Sequence, residues 1–150
     1  MWACLDETTV TKGYCKNGSI IMFQCQRHQS ISLIISNHDN TYEDRVWDFS
    51  CKNTFNNPAT CAWTNYVNCF DDEFTFVCPF GSVLSGMQSY HDNNTEDRRW
   101  KFYCCQGEVP VSRNCKWSDY VNDFDEYLRW DAPTNQYLTG AQSYHDNIRG

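Results

Sequence analysis

The chain is 150 residues long, 41% hydrophobic and 21% charged, which suits one globular domain and excludes a disordered tail. No run approaches the roughly 18 apolar residues of a spanning helix, so no membrane span is expected. The formal net charge of −7 argues against a nucleic-acid protein, whose footprint would be basic.

Residues 1–10 carry Asp6 and Glu7 and no apolar stretch, so no secretory leader is expected there. Period-2 alternation then begins. Ile21, Phe23 and Cys25 share one face of a strand, and a second strand runs from Ile31 to Ser36. A polar loop around His38-Asp39-Asn40 leads into a third strand with Trp47, Phe49 and Cys51 on one face, and a fourth segment surrounds Trp63. The order repeats: Phe74, Phe76 and Cys78; Val83 to Ser89; a loop at His91-Asp92-Asn93; Trp100, Phe102 and Cys104; a segment around Trp117. A third round supplies Leu138 to Ser143 and the loop at His145-Asp146-Asn147. No segment has 3.6-residue periodicity, so little helix is expected.

This order reflects an internal repeat. Ser36-Asn37-His38-Asp39-Asn40 recurs from Ser89 and again from Ser143, shifts of 53 and 54 residues. In the same register Asp44-Arg45-Val46-Trp47 maps onto Asp97-Arg98-Arg99-Trp100, and Cys61-Ala62-Trp63 onto Cys115-Lys116-Trp117. We expect a single domain over 1–150, with units of approximately 16–68, 69–122 and 123–150, the third shorter than the others. Four short strands per unit predict an all-β, pseudo-threefold architecture that is β-prism-like, with a β-trefoil-like fold as the alternative. Gly86 and Gly140, each on a strand between two aromatic ones, favour the prism.

Ten cysteines imply a disulfide framework, hence an oxidising compartment and a secreted protein whose leader has been removed. Irregular gaps argue against zinc, which uses paired C-x₂₋₄-C spacing. Cys25 to Cys51 and Cys78 to Cys104 are both 26 residues apart, so each pair is expected to staple the first strand of its unit to the Asp-Arg-x-Trp strand, with Cys105 as an alternative to Cys104. Ala132 stands where the third unit would carry the first such cysteine.

The repeated Asp-Arg-x-Trp-x-x-x-Cys motif, the Cys78-Pro79-Phe80-Gly81 turn and the Phe102-Tyr103-Cys104-Cys105 run resemble the dermatopontin family, whose invertebrate members include hemagglutinin/amebocyte aggregation factors. The likeness covers roughly residues 20–147. It implies a secreted, extracellular, non-enzymatic protein that binds cell-surface or matrix saccharides and promotes adhesion or agglutination. The implied partners are glycans, glycosaminoglycans or proteoglycans, collagen or other matrix proteins, and a further copy of the chain. A structural matrix protein that organises collagen or proteoglycan is the alternative. Two departures stand out. Members usually carry another Asp-Arg-x-Trp strand after the third polar loop, and the first unit reads Cys25-Gln26-Arg27-His28 where the turn would be.

The candidate glycan-binding residues are those of the repeated loop: His38, Asp39 and Asn40; Tyr90, His91, Asp92 and Asn93; Tyr144, His145, Asp146 and Asn147. Carboxylate, amide and imidazole groups bond sugar hydroxyls, and a tyrosine ring stacks on a pyranose face. Asp and Asn at such positions also form turns through their own backbone. Arg98 is a candidate for reading an anionic group, against the plainer expectation that it bridges to a neighbouring strand. Asn17 and Asn93 head N-glycosylation sequons. Trp63, Trp100, Trp117 and Trp130 read as core. Asp92, Asn93, Glu96 and Asp97 lack an EF-hand register, so no metal or other cofactor is expected. No nucleophile and base are suggested by spacing, so no enzyme is expected.

Overall fold

Alternating aromatic or β-branched residues with polar ones gives each short segment one face to bury, and strands result wherever that pattern runs. The computed structural model describes residues 20–111 and 114–146, together with the backbone of Lys12–Cys15. Among these residues there are ten strands and no helix: β1 (Lys12–Cys15), β2 (Ile21–Gln24), β3 (Gln29–Asp39), β4 (Asp44–Asn53), β5 (Thr60–Trp63), β6 (Phe74–Val77), β7 (Val83–Asp92), β8 (Asp97–Gln106), β9 (Leu128–Asp131) and β10 (Gly140–Ser143). They form two four-stranded sheets, β1-β4-β3-β9 and β2-β7-β8-β5, and a two-stranded sheet of β6 and β10.

The long strands make two antiparallel hairpins, β3–β4 and β7–β8. The short strand that precedes each hairpin in sequence does not join it. Instead β2 pairs with β7, β6 with β10, and β9 with β3. The fourth segment also crosses over: β5 lies on β8, so it closes the neighbouring sheet and not its own unit.

This exchange explains what the disulfides do. Cys25–Cys51 and Cys78–Cys104 form as the 26-residue spacing predicts. The first ties the end of β2, in one four-stranded sheet, to β4 in the other. The second ties the end of β6 to β8. Cys105 is not a substitute for Cys104; it pairs with Cys61, its cross-strand neighbour on β5. Among the described residues Cys69 and Cys115 form no disulfide. Cys4 and the side chain of Cys15 lie outside the described residues.

Between the sheets the aromatic faces stack in two matching columns. Phe23 lies on Phe49 at 4.8 Å and Phe49 beside Trp47 at 6.2 Å; Phe76 lies on Phe102 at 4.7 Å and Phe102 beside Trp100 at 6.4 Å. The columns meet where Trp47 and Trp100 pack edge to face at 5.1 Å. Phe49 and Phe102 are wholly buried, and burying a side chain of that size contributes about 1.5–3 kcal/mol. Trp100 and Trp130 are core, as expected. Trp117 is not: it is 38% exposed, and Trp63 is half-buried. Trp63, at the end of β5, packs on Tyr103 at 5.0 Å, and Trp117 lies outside the ten strands.

Close approach of the exchanged strands needs glycine. A Cβ at Gly86 would lie 2.7 Å from the Phe23 carbonyl oxygen and 2.9 Å from Tyr103 Cβ, and one at Gly140 would lie 2.5 Å from the Phe76 carbonyl oxygen. Backbone cannot yield cheaply there, so Gly86→Ala is expected to lower stability by about 1–3 kcal/mol, read as a shift in the urea midpoint.

Candidate functional site

In the first two repeats the histidine-aspartate run does not sit in a loop, whereas His145 and Asp146 lie beyond the end of β10. β3 continues through His38 to Asp39 and β7 through His91 to Asp92, and each strand end is still paired with the start of its partner hairpin strand, Asp39 with Asp44 and Asp92 with Asp97. The reversal begins at Asn40 and Asn93. Asp39 accepts the Thr41 amide at 2.9 Å; Asp92 accepts those of Asn94 and Thr95 at 2.8 and 3.3 Å. These N–H groups, chiefly that of Asn94, hold the Asp92 carboxyl below its ordinary range. One oxygen of each aspartate is therefore committed to the turn. Glu43 and Glu96 close the two turns at positive φ, 45° and 52°.

Because all these strand ends lie at one end of the sheets, the three histidines converge. His38, His91 and His145 line a single cleft of about 190 Å³ with Asp44, Arg45, Asp97, Arg98, Trp47, Trp100 and the stretch from Asn122 to Asp125. His38 lies between two carboxylates, with Glu43 3.5 Å from Nε2 and Asp125 3.5 Å from Nδ1. His145 is placed likewise, Asp71 at 3.8 Å and Asp97 at 3.7 Å. His91 Nδ1 meets Asn93 Oδ1 at 3.1 Å. The Nε2 atoms of His38 and His91 are buried and make no hydrogen bond. Asp71 and Asp125 are equivalent, each at positive φ (62° and 56°) and each reaching a histidine of another unit.

Arg98 is not offered to solvent. Its Nε and Nη2 donate to Oδ1 and Oδ2 of Asp44, both at 2.7 Å, and the pair is buried, with the side chains 7% and 1% exposed. The adjacent Asp97 and Arg98 diverge, as residues next to each other on a strand must, and the arginine bridges to the next hairpin. Arg45, the counterpart of Arg98, donates to Ser36 Oγ at 3.0 Å and to the Glu126 carbonyl. Burial pushes the Arg45 pKa down against the attraction of Asp125 and Asp44.

Two aromatic clusters occupy matching positions of the repeat, and the second lines the cleft. Tyr90 meets Tyr66 and Phe70 edge to face at 5.6 and 5.4 Å, and Tyr144 meets Tyr120 and Phe124 at 5.5 and 5.2 Å. The first cluster is capped by cations: the Arg99 guanidinium lies 4.3 Å and the Lys101 ammonium 4.5 Å from the Tyr66 ring. In the second, Tyr120 and Tyr144 are 63% and 45% exposed.

Of the sequence-derived candidates, the structure gathers His38, His91, His145, Arg98 and Tyr144 at the cleft. Tyr90 lies in the first aromatic cluster. Asp39 and Asp92 serve the turns, Asn40 and Asn93 are exposed at their tips, and Asp146 is half-buried beyond β10. Asn147 and Asn17 lie outside the described residues. Sequence reasoning missed Tyr66, Phe70, Asp71, Tyr120, Phe124 and Asp125. The signal was present: Phe70-Asp71 recurs as Phe124-Asp125 at the repeat spacing of 54. Among the described residues no group of three or more His, Cys, Asp or Glu is arranged to hold a metal ion, and no helix is long and apolar enough to cross a membrane.

The sequence was compared with known proteins. A dermatopontin family model matches residues 16–150. The hemagglutinin/amebocyte aggregation factor of Limulus polyphemus is 46% identical over 129 residues, 85% of this chain and 74% of that protein. The dermatopontin of Biomphalaria glabrata is 40% identical over 124 residues, 83% of each chain. Millepora cytotoxin-1 of Millepora dichotoma is 38% identical over 125 residues, 83% of this chain and 56% of that longer protein. No solved structure matches. With the motif, the cross-sheet disulfides and the repeated strand ends all in register, the chain belongs to the dermatopontin family.

Proposed function

We propose that this protein is a secreted, non-enzymatic adhesion protein of the lectin type that recognises cell-surface or matrix saccharides at the end of the molecule where the histidine-bearing strands terminate. The observation that carries this reading is the exposed Tyr120–Tyr144–Phe124 cluster beside a cleft rich in carboxylate, amide and imidazole groups. Aromatic rings next to polar groups suit a pyranose, which has an apolar face and hydroxyl edges. The cation-capped cluster at Tyr90 is its counterpart one repeat earlier. Two weak sites on one chain would add through effective concentration, which agglutination requires. A relative named as a hemagglutinin and aggregation factor supports the same reading. We further propose that the units stand about a pseudo-threefold axis in a prism-like single domain; the exchange β2–β7, β6–β10 and β9–β3 supports this.

A glycan array on the oxidised protein, with agglutination assayed against free sugar, tests the function. The Tyr120→Ala, Tyr144→Ala double variant is expected to weaken binding by about tenfold, since each aromatic contact of this kind contributes about 0.5–1.5 kcal/mol. Full binding by the folded variant would remove this cluster from the site. Agglutination indifferent to every free sugar would favour instead a matrix protein that organises collagen or proteoglycan through protein surfaces.

A further inference from the structure

The outward-facing residues of β8 depart from the repeat. Arg98, Trp100 and Phe102 are buried, so Arg99 and Lys101 share the opposite face of the strand, about 7 Å apart along it. Directly across on β7, Tyr90 is paired with Arg99 and Gln88 with Lys101. The stretch after β5 lays Tyr66 and Phe70 on the same face. Both meet Tyr90 edge to face, and both cations lie over the Tyr66 ring, Arg99 at 4.3 Å and Lys101 at 4.5 Å. In the first unit Val46 and Asp48 stand where Arg99 and Lys101 do, and Asn37 pairs with Val46 as Tyr90 pairs with Arg99. The two cations are thus a property of this sheet and not of the repeat.

Neither cation is neutralised. Among the described residues Arg99 makes one hydrogen bond, from Nε to the Asn68 carbonyl oxygen at 3.1 Å, and neither Arg99 nor Lys101 is in an ion pair. The carboxylate two residues before Arg99 on that face, Asp97, accepts the Asp71 amide at 2.9 Å and lies 3.7 Å from His145. Two like charges held over one ring repel each other, and a cation stacked on a ring keeps its remaining N–H donors for another acceptor. The rings beside them are half-buried and supply an apolar surface, and Gln88 adds an amide. An anionic group placed between guanidinium and ammonium, and joined to a ring with an apolar face, satisfies all of these groups together.

We propose that the outer face of β7 and β8 binds a saccharide bearing a carboxylate or a sulfate. Arg99 and Lys101 hold the anion, and the sugar ring lies on the Tyr66–Tyr90–Phe70 cluster. This inference rests on the saccharide reading above and assigns the first of its two clusters to acidic sugars. The chain carries a net charge of −7, so its overall field repels anions and any preference for an acidic sugar is local.

The test is an array that presents neutral glycans beside their sialylated and sulfated forms. The oxidised protein is expected to bind acidic members about tenfold more tightly than their neutral parents, the gain typical of a charge-assisted bond. Added salt should shrink that margin. Either acidic form showing the margin supports the proposal, and the larger of the two margins names the anion. Arg99→Gln with Lys101→Gln is expected to remove it, whereas Tyr120→Ala with Tyr144→Ala, at the second cluster, is expected to keep it. Equal binding to acidic and neutral members would overturn this inference and leave the saccharide reading in place; no binding to any member would overturn both. A double glutamine variant with native near-ultraviolet dichroism and the full margin would also overturn it, as would a margin indifferent to salt. The salt dependence is read on the unaltered protein, so the result stands even where the double variant unfolds.

Discussion

Arg98→Ala is expected to lower unfolding stability by about 3–5 kcal/mol, the loss that follows when one partner of a buried ion pair is removed and the other stays buried. Asp44 is the stranded group. It lies at the start of β4 and receives both arginine nitrogens at 2.7 Å from β8, so the pair ties one four-stranded sheet to the other. Arg98 Nη1 also reaches Ser89 Oγ at 3.5 Å. Lysine would not replace it, because a point charge on a flexible stem cannot make the two-pronged contact; Arg98→Lys should recover less than half of the loss. Replacing both partners together, Arg98→Met with Asp44→Leu, should recover more, since neither member of the pair is then left buried without its partner. Urea unfolding of the four proteins makes the comparison. A loss below about 1 kcal/mol for Arg98→Ala would mean that the pair behaves as a hydrated surface bridge.

Removing the Cys25–Cys51 bridge by the double change to serine is expected to cost about 3.5 kcal/mol on the chain-entropy scale for a loop of this length. The matching change at Cys78 and Cys104 closes an equal 26-residue separation and should cost a similar amount. Loss of Cys61–Cys105 should differ in kind. That bridge joins two strands already hydrogen-bonded in register, whereas the other two join the end of one sheet to the middle of another. The cross-sheet variants should therefore lose near-ultraviolet dichroism from the Trp47, Phe49, Trp100 and Phe102 columns at lower urea than the in-sheet variant. Identical unfolding of all three variants would show that the cross-sheet bridges have no special role in holding the columns together.

Much of this was readable from the chain because it is local or periodic. Alternation in Ile21-Met22-Phe23 and Asp97-Arg98-Arg99-Trp100 marks strands and their buried faces without reference to anything distant. The 26-residue spacing of two cysteine pairs could be recognised because it occurs twice. The charged cap of each hairpin was legible as a motif, though its aspartates were placed in a loop; the ladder from β3 to β4 runs on past His38 and keeps them on the strand.

Partner choice was not legible. A strand's pattern states which face must leave water but not which sheet receives it, since any apolar face satisfies the same requirement. So β2 and β6 read as members of their own units and are found on their neighbours. The pairs that depend on this exchange stayed hidden with it: Cys61 with Cys105, Arg98 with Asp44, His145 with Asp71, and His38 with Asp125. Each joins residues distant in sequence, and their approach follows from how the sheets cross, a property of the packed chain that no single segment encodes. The same holds for Trp117. Its composition says core, but it lies outside the ten strands and is 38% exposed.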